Sequence, residues 1–149
     1  MTSHLLRLKR DIIELRNDPL KGIDVIIHDD DITSMCLILT PLQGPFFGLR
    51  LHLSVNIPEE YPRIAPKVSI QTAVEHPNVI DSDNDNGNAY ICADILKNNN
   101  RSSRGYNGGY TAGYLLKYIF LQLLSFFLIN GSNKRMVIYI ILKLMRILN

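Results

Sequence analysis

The chain has 149 residues, 46% of them hydrophobic and 20% charged, a size and composition that fit one folded domain and exclude a disordered or collagen-like protein. Arg7, Lys9, Arg10 and Asp11 interrupt the opening segment, which lacks the apolar centre of a secretory signal. The two cysteines, Cys36 and Cys92, show neither a disulfide framework nor a paired Cys-x-x-Cys zinc spacing, so a reducing compartment is expected. The net charge of +2 is divided unevenly: all 14 acidic residues lie at or before Asp94, and eight of the 16 basic residues follow it. That split indicates either a basic tail for anionic partners or an end of different origin from the rest.

Leu5, Leu8, Ile12 and Leu15 recur at helical spacing, and Leu6 and Ile13 widen the stripe. With Thr2 or Ser3 as cap and Asp18-Pro19 as stop, the pattern predicts an amphipathic helix from Ser3 to Asn17, with Arg7, Lys9, Arg10 and Glu14 outside. Strands are expected at Ile23 to His28 and Ser34 to Leu39, separated by the acidic turn Asp29-Asp30-Asp31. After the turn at Gln43-Gly44-Pro45, Leu49 to Ile57 alternates strictly, with Leu49, Leu51, Leu53, Val55 and Ile57 on one face. Pro58 ends that strand, and Lys67 to Gln71 reads as a short fourth one. Short connections favour an antiparallel meander.

From Glu75 to Tyr110 the periodicity disappears into Asn, Asp, Ser and Gly, as in exposed loops that carry a site. Leu116, Ile119, Phe120, Leu123 and Phe127 restore helical spacing. The expected fold class is α+β: an N-terminal helix, a four-stranded antiparallel meander, an active-site loop and a C-terminal helix. The folded core is placed at residues 3–129, incomplete at its C-terminal end, and a basic aliphatic tail at 130–149.

Most polar landmarks have plain readings. Cys36, between Met35 and Leu37, reads as core, while His28 and His52 read as solvated and His4 as a residue near a terminus. The run Asp81 to Gly87 fails the calcium-loop template, because its glycine falls one position late and position twelve is Cys92. Asn98-Asn99-Asn100 and Gly108-Gly109 read as flexible loop. No metal ligands are expected.

Three motifs in order carry a resemblance. Pro58-Glu59-Glu60-Tyr61-Pro62-Arg63-Ile64-Ala65-Pro66, His76-Pro77-Asn78 and Ile91-Cys92-Ala93-Asp94-Ile95-Leu96 resemble the proline-rich segment, the His-Pro-Asn motif and the active-site cysteine segment of ubiquitin-conjugating enzymes. The resemblance covers roughly residues 4 to 127. It implies that Cys92 attacks the thioester linking ubiquitin, or a ubiquitin-like protein, to an activating enzyme, and that a lysine amine then attacks the new thioester. It further implies that Asn78 donates to the oxyanion or supports the loop, that His76 and Pro77 are structural, and that Asp94 orients the incoming lysine. Arg7, Lys9 and Arg10 stand where the family meets its activating enzyme, and Arg63, Ile64, Thr111 and Ala112 on its ligase-facing loops. No cofactor is implied, since ATP is used by the activating enzyme. The implied location is cytoplasm, nucleus or both, with no nucleic-acid partner and no transmembrane segment.

An Ile-Cys-Ala segment alone is the mark of a small buried hydrophobe; the upstream His-Pro-Asn run turns Cys92 into a nucleophile candidate. Nothing cationic adjoins it in sequence, and the nearby Asp94 disfavours a thiolate.

The chain also departs from the family. Its Asn78-to-Cys92 interval is longer, its loop after Cys92 is expanded through Asn98 to Gly109, and Tyr110-Thr111-Ala112 occupies the place of the family's Trp-Ser-Pro run. Arg63 and Ala112 replace residues that RING-type ligases grip, so ordinary RING contacts are not expected. The acid-free segment Leu128 to Asn149 replaces the family's C-terminal elements. Its composition resembles translated noncoding sequence from a truncated gene model or splice form. The alternatives are a covering helix or a membrane-surface segment using Lys134, Arg135, Lys143 and Arg146. The rival function to conjugation is a catalytically inactive ubiquitin-binding module of the same fold.

Overall fold

The computed structural model describes residues 3–81, 88–98 and 109–128. The tail at 130–149, the run Ser82 to Gly87 and residues 99–108 lie outside the described residues. The first helix, α1 (Ser3–Asn17), buries Leu8, Ile12 and Leu15 as the stripe requires. The stripe is narrower than the sequence suggested: Leu6 and Ile13 are 57% and 55% exposed, and the polar Asp11 completes the inward face.

Among the described residues six strands follow, all paired antiparallel in the order β1-β2-β3-β4-β6-β5. They are β1 (Ile23–His28), β2 (Asp31–Leu39), β3 (Leu51–Asn56), β4 (Lys67–Ile70), β5 (Val79–Ile80) and β6 (Ala89–Ile91). The first four form the expected meander. Register stacks the apolar residues across it, with Leu37 opposite Leu53 and Leu53 opposite Ile70, and Met35 opposite Val55 and Val55 opposite Val68. These residues form one core cluster with α1 and with α2 (Leu116–Phe126). Leu116, Ile119, Phe120, Leu121, Leu123 and Leu124 of α2 are all buried, so this helix is apolar around most of its circumference, as a core helix is.

Two expectations need correction. Leu49 does not belong to the buried row: β3 begins at Leu51, opposite Leu39, and Leu49 remains in the preceding turn with its N–H on the Phe46 carbonyl, 48% exposed. Cys36 is not core. Strand alternation puts Met35 and Leu37 inward, so Cys36 falls on the opposite sheet face beside Ile26, half-buried.

The added strands β5 and β6 extend the sheet at the β4 edge, within the stretch that read as loop. At two and three residues they are too short to show a period. Their place in the sheet aligns the segments around Asn78 and Cys92.

Candidate active site

β5 pairs with β6 through Val79 opposite Ile91 and Ile80 opposite Tyr90. Extending that register by one position sets Asn78 beside Cys92, although 14 positions separate them in sequence. The Cys92 N–H donates to the Asn78 carbonyl at 2.7 Å, and Asn78 Nδ2 donates to the Cys92 carbonyl at 2.8 Å. The thiol itself is free and half-buried. Backbone and side chain of Asn78 thus hold both polar groups of the cysteine's main chain, fixing the path along which Sγ projects.

His76 anchors the other end of this segment. Its Nδ1 accepts from the Asn78 N–H at 3.0 Å, and its Nε2 lies 2.6 Å from the Phe126 carbonyl. A nitrogen that accepts carries no proton, and one facing a carbonyl must donate, so the ring is the neutral Nε2–H tautomer. Burial agrees, holding the His76 pKa below its ordinary value. The ring packs 4.9 Å from Phe127 and 5.5 Å from Phe46, which meet each other edge-on. His76 therefore clasps the cysteine's neighbour to the end of α2, with both nitrogens taken by backbone groups.

After Cys92 the chain makes a 3-10 turn, Asp94–Leu96, and then bends back. The Lys97 N–H donates to the Asp94 carbonyl at 3.0 Å, and the Lys97 ammonium reaches the Asp94 carboxylate at 3.4 Å. The electrostatic influence of Cys92, and after it that of Asp94, holds the Lys97 pKa above its ordinary value.

The family model described as ubiquitin-conjugating enzyme matches residues 7–137. The chain belongs to the ubiquitin-conjugating enzyme family. It is 32% identical over 100 residues to ubiquitin-conjugating enzyme E2 13 of Saccharomyces cerevisiae, covering 66% of this chain and 61% of that protein. To ubiquitin-conjugating enzyme E2 N of Drosophila melanogaster it is 33% identical over 98 residues, covering 65% and 61%. The matching stretch thus spans 61% of the length of each of these curated relatives. The fold matches human ubiquitin-conjugating enzyme E2 G1 with a TM-score of 0.64 at 24% identity, over 83% of this chain and 93% of that one.

The proline-rich segment and the stretch around Tyr110 are joined to each other. The Tyr110 hydroxyl donates to the Pro62 carbonyl at 2.6 Å, its N–H to the Lys97 carbonyl at 2.8 Å, and the Ala65 N–H to Asn98 Oδ1 at 2.8 Å. Burial pushes the Tyr110 hydroxyl pKa up to about 12, so it stays a donor. Arg63, Thr111 and Ala112 are exposed on this rim, Ile64 is half-buried, and Pro77 is exposed beside His76.

Arg7 occupies a different position from the one the helix pattern gave it. Its guanidinium pairs with Asp11 at 3.0 Å and donates to the carbonyls of Ala112 at 2.7 Å and Tyr114 at 2.8 Å, so it is a brace between α1 and the rim rather than part of a wet face. Lys9 and Arg10 are exposed on α1. Among the described residues no helix is long and apolar enough to cross a membrane.

Proposed function

We propose that this chain carries ubiquitin or a ubiquitin-like protein as a thioester on Cys92 and passes it to a lysine amine. The observation that carries this reading is the reciprocal pairing of Asn78 with the Cys92 main chain, which presents a half-buried free thiol beside a fixed amide donor. In the first step the Cys92 sulfur attacks the modifier's C-terminal carbonyl carbon and the activating enzyme's thiolate leaves. In the second an amine attacks the same carbon, loses a proton, and the Cys92 thiolate leaves. Each step passes through an oxyanion. Asn78 Nδ2 has two hydrogens; one is held by the Cys92 carbonyl, and the second is the donor assigned to the oxyanion. Asp94, on the 3-10 turn, is assigned to orienting the incoming lysine.

Lys9 and Arg10 are assigned to the activating enzyme, and the rim of Arg63, Ile64, Thr111 and Ala112 to a ligase that does not rely on ordinary RING contacts. The compartment assigned is cytoplasm, nucleus or both. The test is a charging reaction with activating enzyme, ATP and ubiquitin, read on reducing and non-reducing gels beside Cys92→Ala. The expected result is a thiol-sensitive adduct absent from the variant. Folded protein that forms no adduct with ubiquitin or any ubiquitin-like protein would replace this reading with that of a non-catalytic binding module.

A further inference from the structure

The segment that carries the cysteine is held at both ends. At its start, Asn78 grips the Cys92 main chain through the bonds at 2.7 and 2.8 Å. At its far end, the Lys97 carbonyl accepts from the Tyr110 N–H at 2.8 Å. Asn98 bridges to Tyr110 and accepts the Ala65 N–H on Oδ1 at 2.8 Å. Between these anchors the 3-10 turn closes through the Leu96 N–H on the Ala93 carbonyl and the Lys97 N–H on the Asp94 carbonyl, both at 3.0 Å. Asp94 stands on that turn, so its place relative to Cys92 depends on both anchors.

The far anchor turns on one side chain. Tyr110 is buried, and its hydroxyl donates to the Pro62 carbonyl at 2.6 Å. A single residue therefore holds the cysteine turn through its backbone and the proline-rich segment through its ring. Gly109 lets the chains meet this closely, since a Cβ there would lie 3.1 Å from the Lys97 carbonyl oxygen. The expanded loop starts at Asn98, and the Asn98–Tyr110 bridge closes its base. Resting on the thioester reading, we infer that Tyr110 is a positioning residue for the transfer step, holding the turn after Cys92 so that Asp94 meets the incoming lysine amine. With its pKa pushed up to about 12 by burial, the hydroxyl keeps its proton, and the anchor persists at the pH of the reaction.

Tyr110→Phe keeps the ring and removes only the hydroxyl. Hydrogen exchange on the uncharged chain reads the anchor without any partner protein. Exchange at the Leu96, Lys97 and Tyr110 amides should quicken about two- to tenfold relative to the core amide of Leu53, the range for losing one hydrogen bond. Charging with activating enzyme, ATP and ubiquitin involves no acceptor amine and should proceed as in the parent. Discharge of the preformed thioester to free L-lysine should slow by about two- to tenfold. Asp94→Asn should slow discharge as well, and the double variant should be no slower than Asp94→Asn alone, because Tyr110 acts through Asp94. Unchanged amide exchange in Tyr110→Phe overturns the inference, as does discharge indifferent to either substitution. So does equal slowing of charging and discharge, or a double variant slowed by the product of the single effects; either would mean that the hydroxyl serves the fold rather than Asp94. If the parent does not charge, the conjugation reading fails and the role in transfer falls with it, whereas quickened exchange would still assign the turn to Tyr110.

Discussion

His76 illustrates how one residue's protonation state is set by its neighbours. Burial lowers its pKa below the ordinary 6.5, so the unfolded chain takes up the proton before the folded one does. Its contribution to stability is therefore complete above about pH 6.5 and is lost as pH falls through the depressed folded value. Chemical denaturation across about pH 5 to 7 should show stability declining toward acid. In His76→Gln the amide keeps a donor for the Phe126 carbonyl but does not titrate, so that slope should flatten; a slope unchanged by the substitution would assign the acid sensitivity to another group. The His-Pro-Asn motif made the site visible in the sequence because it is contiguous. The role of each member was less visible: which His76 nitrogen accepts depends on Phe126, 50 positions away.

Between elements, glycines mark where the backbone leaves no room. Gly44 has φ +84°, and a Cβ there would lie 2.4 Å from the Leu128 carbonyl oxygen. Gly48 has the same φ with nothing within 4 Å. Replacing either with Ala incurs the left-handed penalty, about 1–3 kcal/mol. Gly44→Ala must in addition push the end of α2 away from the β2–β3 connection, about 1–3 kcal/mol more. Urea unfolding of both variants separates the two effects, and equal losses would show that the Leu128 contact yields freely. The elements themselves were legible wherever a period could be counted. α1 has its apolar stripe, β3 its alternation and α2 its repeated aliphatics. Leu49 was misplaced because alternation continues through the residues before the ladder begins, and only pairing with Leu39 marks the true start. The hairpin of β5 and β6 had no such signal, although it aligns the site.

Across the molecule, one polar circuit joins three segments that the sequence keeps far apart. Asp11 is fully buried in α1, accepts from the Arg7 guanidinium and accepts the Tyr61 hydroxyl. Arg7 also lies over the Tyr61 ring, 5.8 Å from its centroid, and continues to the Ala112 and Tyr114 carbonyls, while Tyr110 returns to Pro62. Burial and Asp11 hold the Tyr61 hydroxyl pKa well above its ordinary value, so the phenol remains a donor. A helix stripe containing one aspartate gives no hint of this, because its partners lie 50 positions on at Tyr61 and more than 100 on in the rim. A buried carboxylate with two donors is worth more intact than its parts, since removing one leaves the charge short of partners. Tyr61→Phe keeps the ring under Arg7 and removes only the hydroxyl, with an expected loss of about 1–3 kcal/mol. Arg7→Met removes the charge and both carbonyl contacts, with a loss of about 3–5 kcal/mol. Because both act on Asp11, the double variant should depart from the sum of the singles by at least about 0.5 kcal/mol in a denaturation cycle. Additive losses would mean that α1 holds the proline segment and the rim through separate contacts, and that Asp11 is not the hub that joins them.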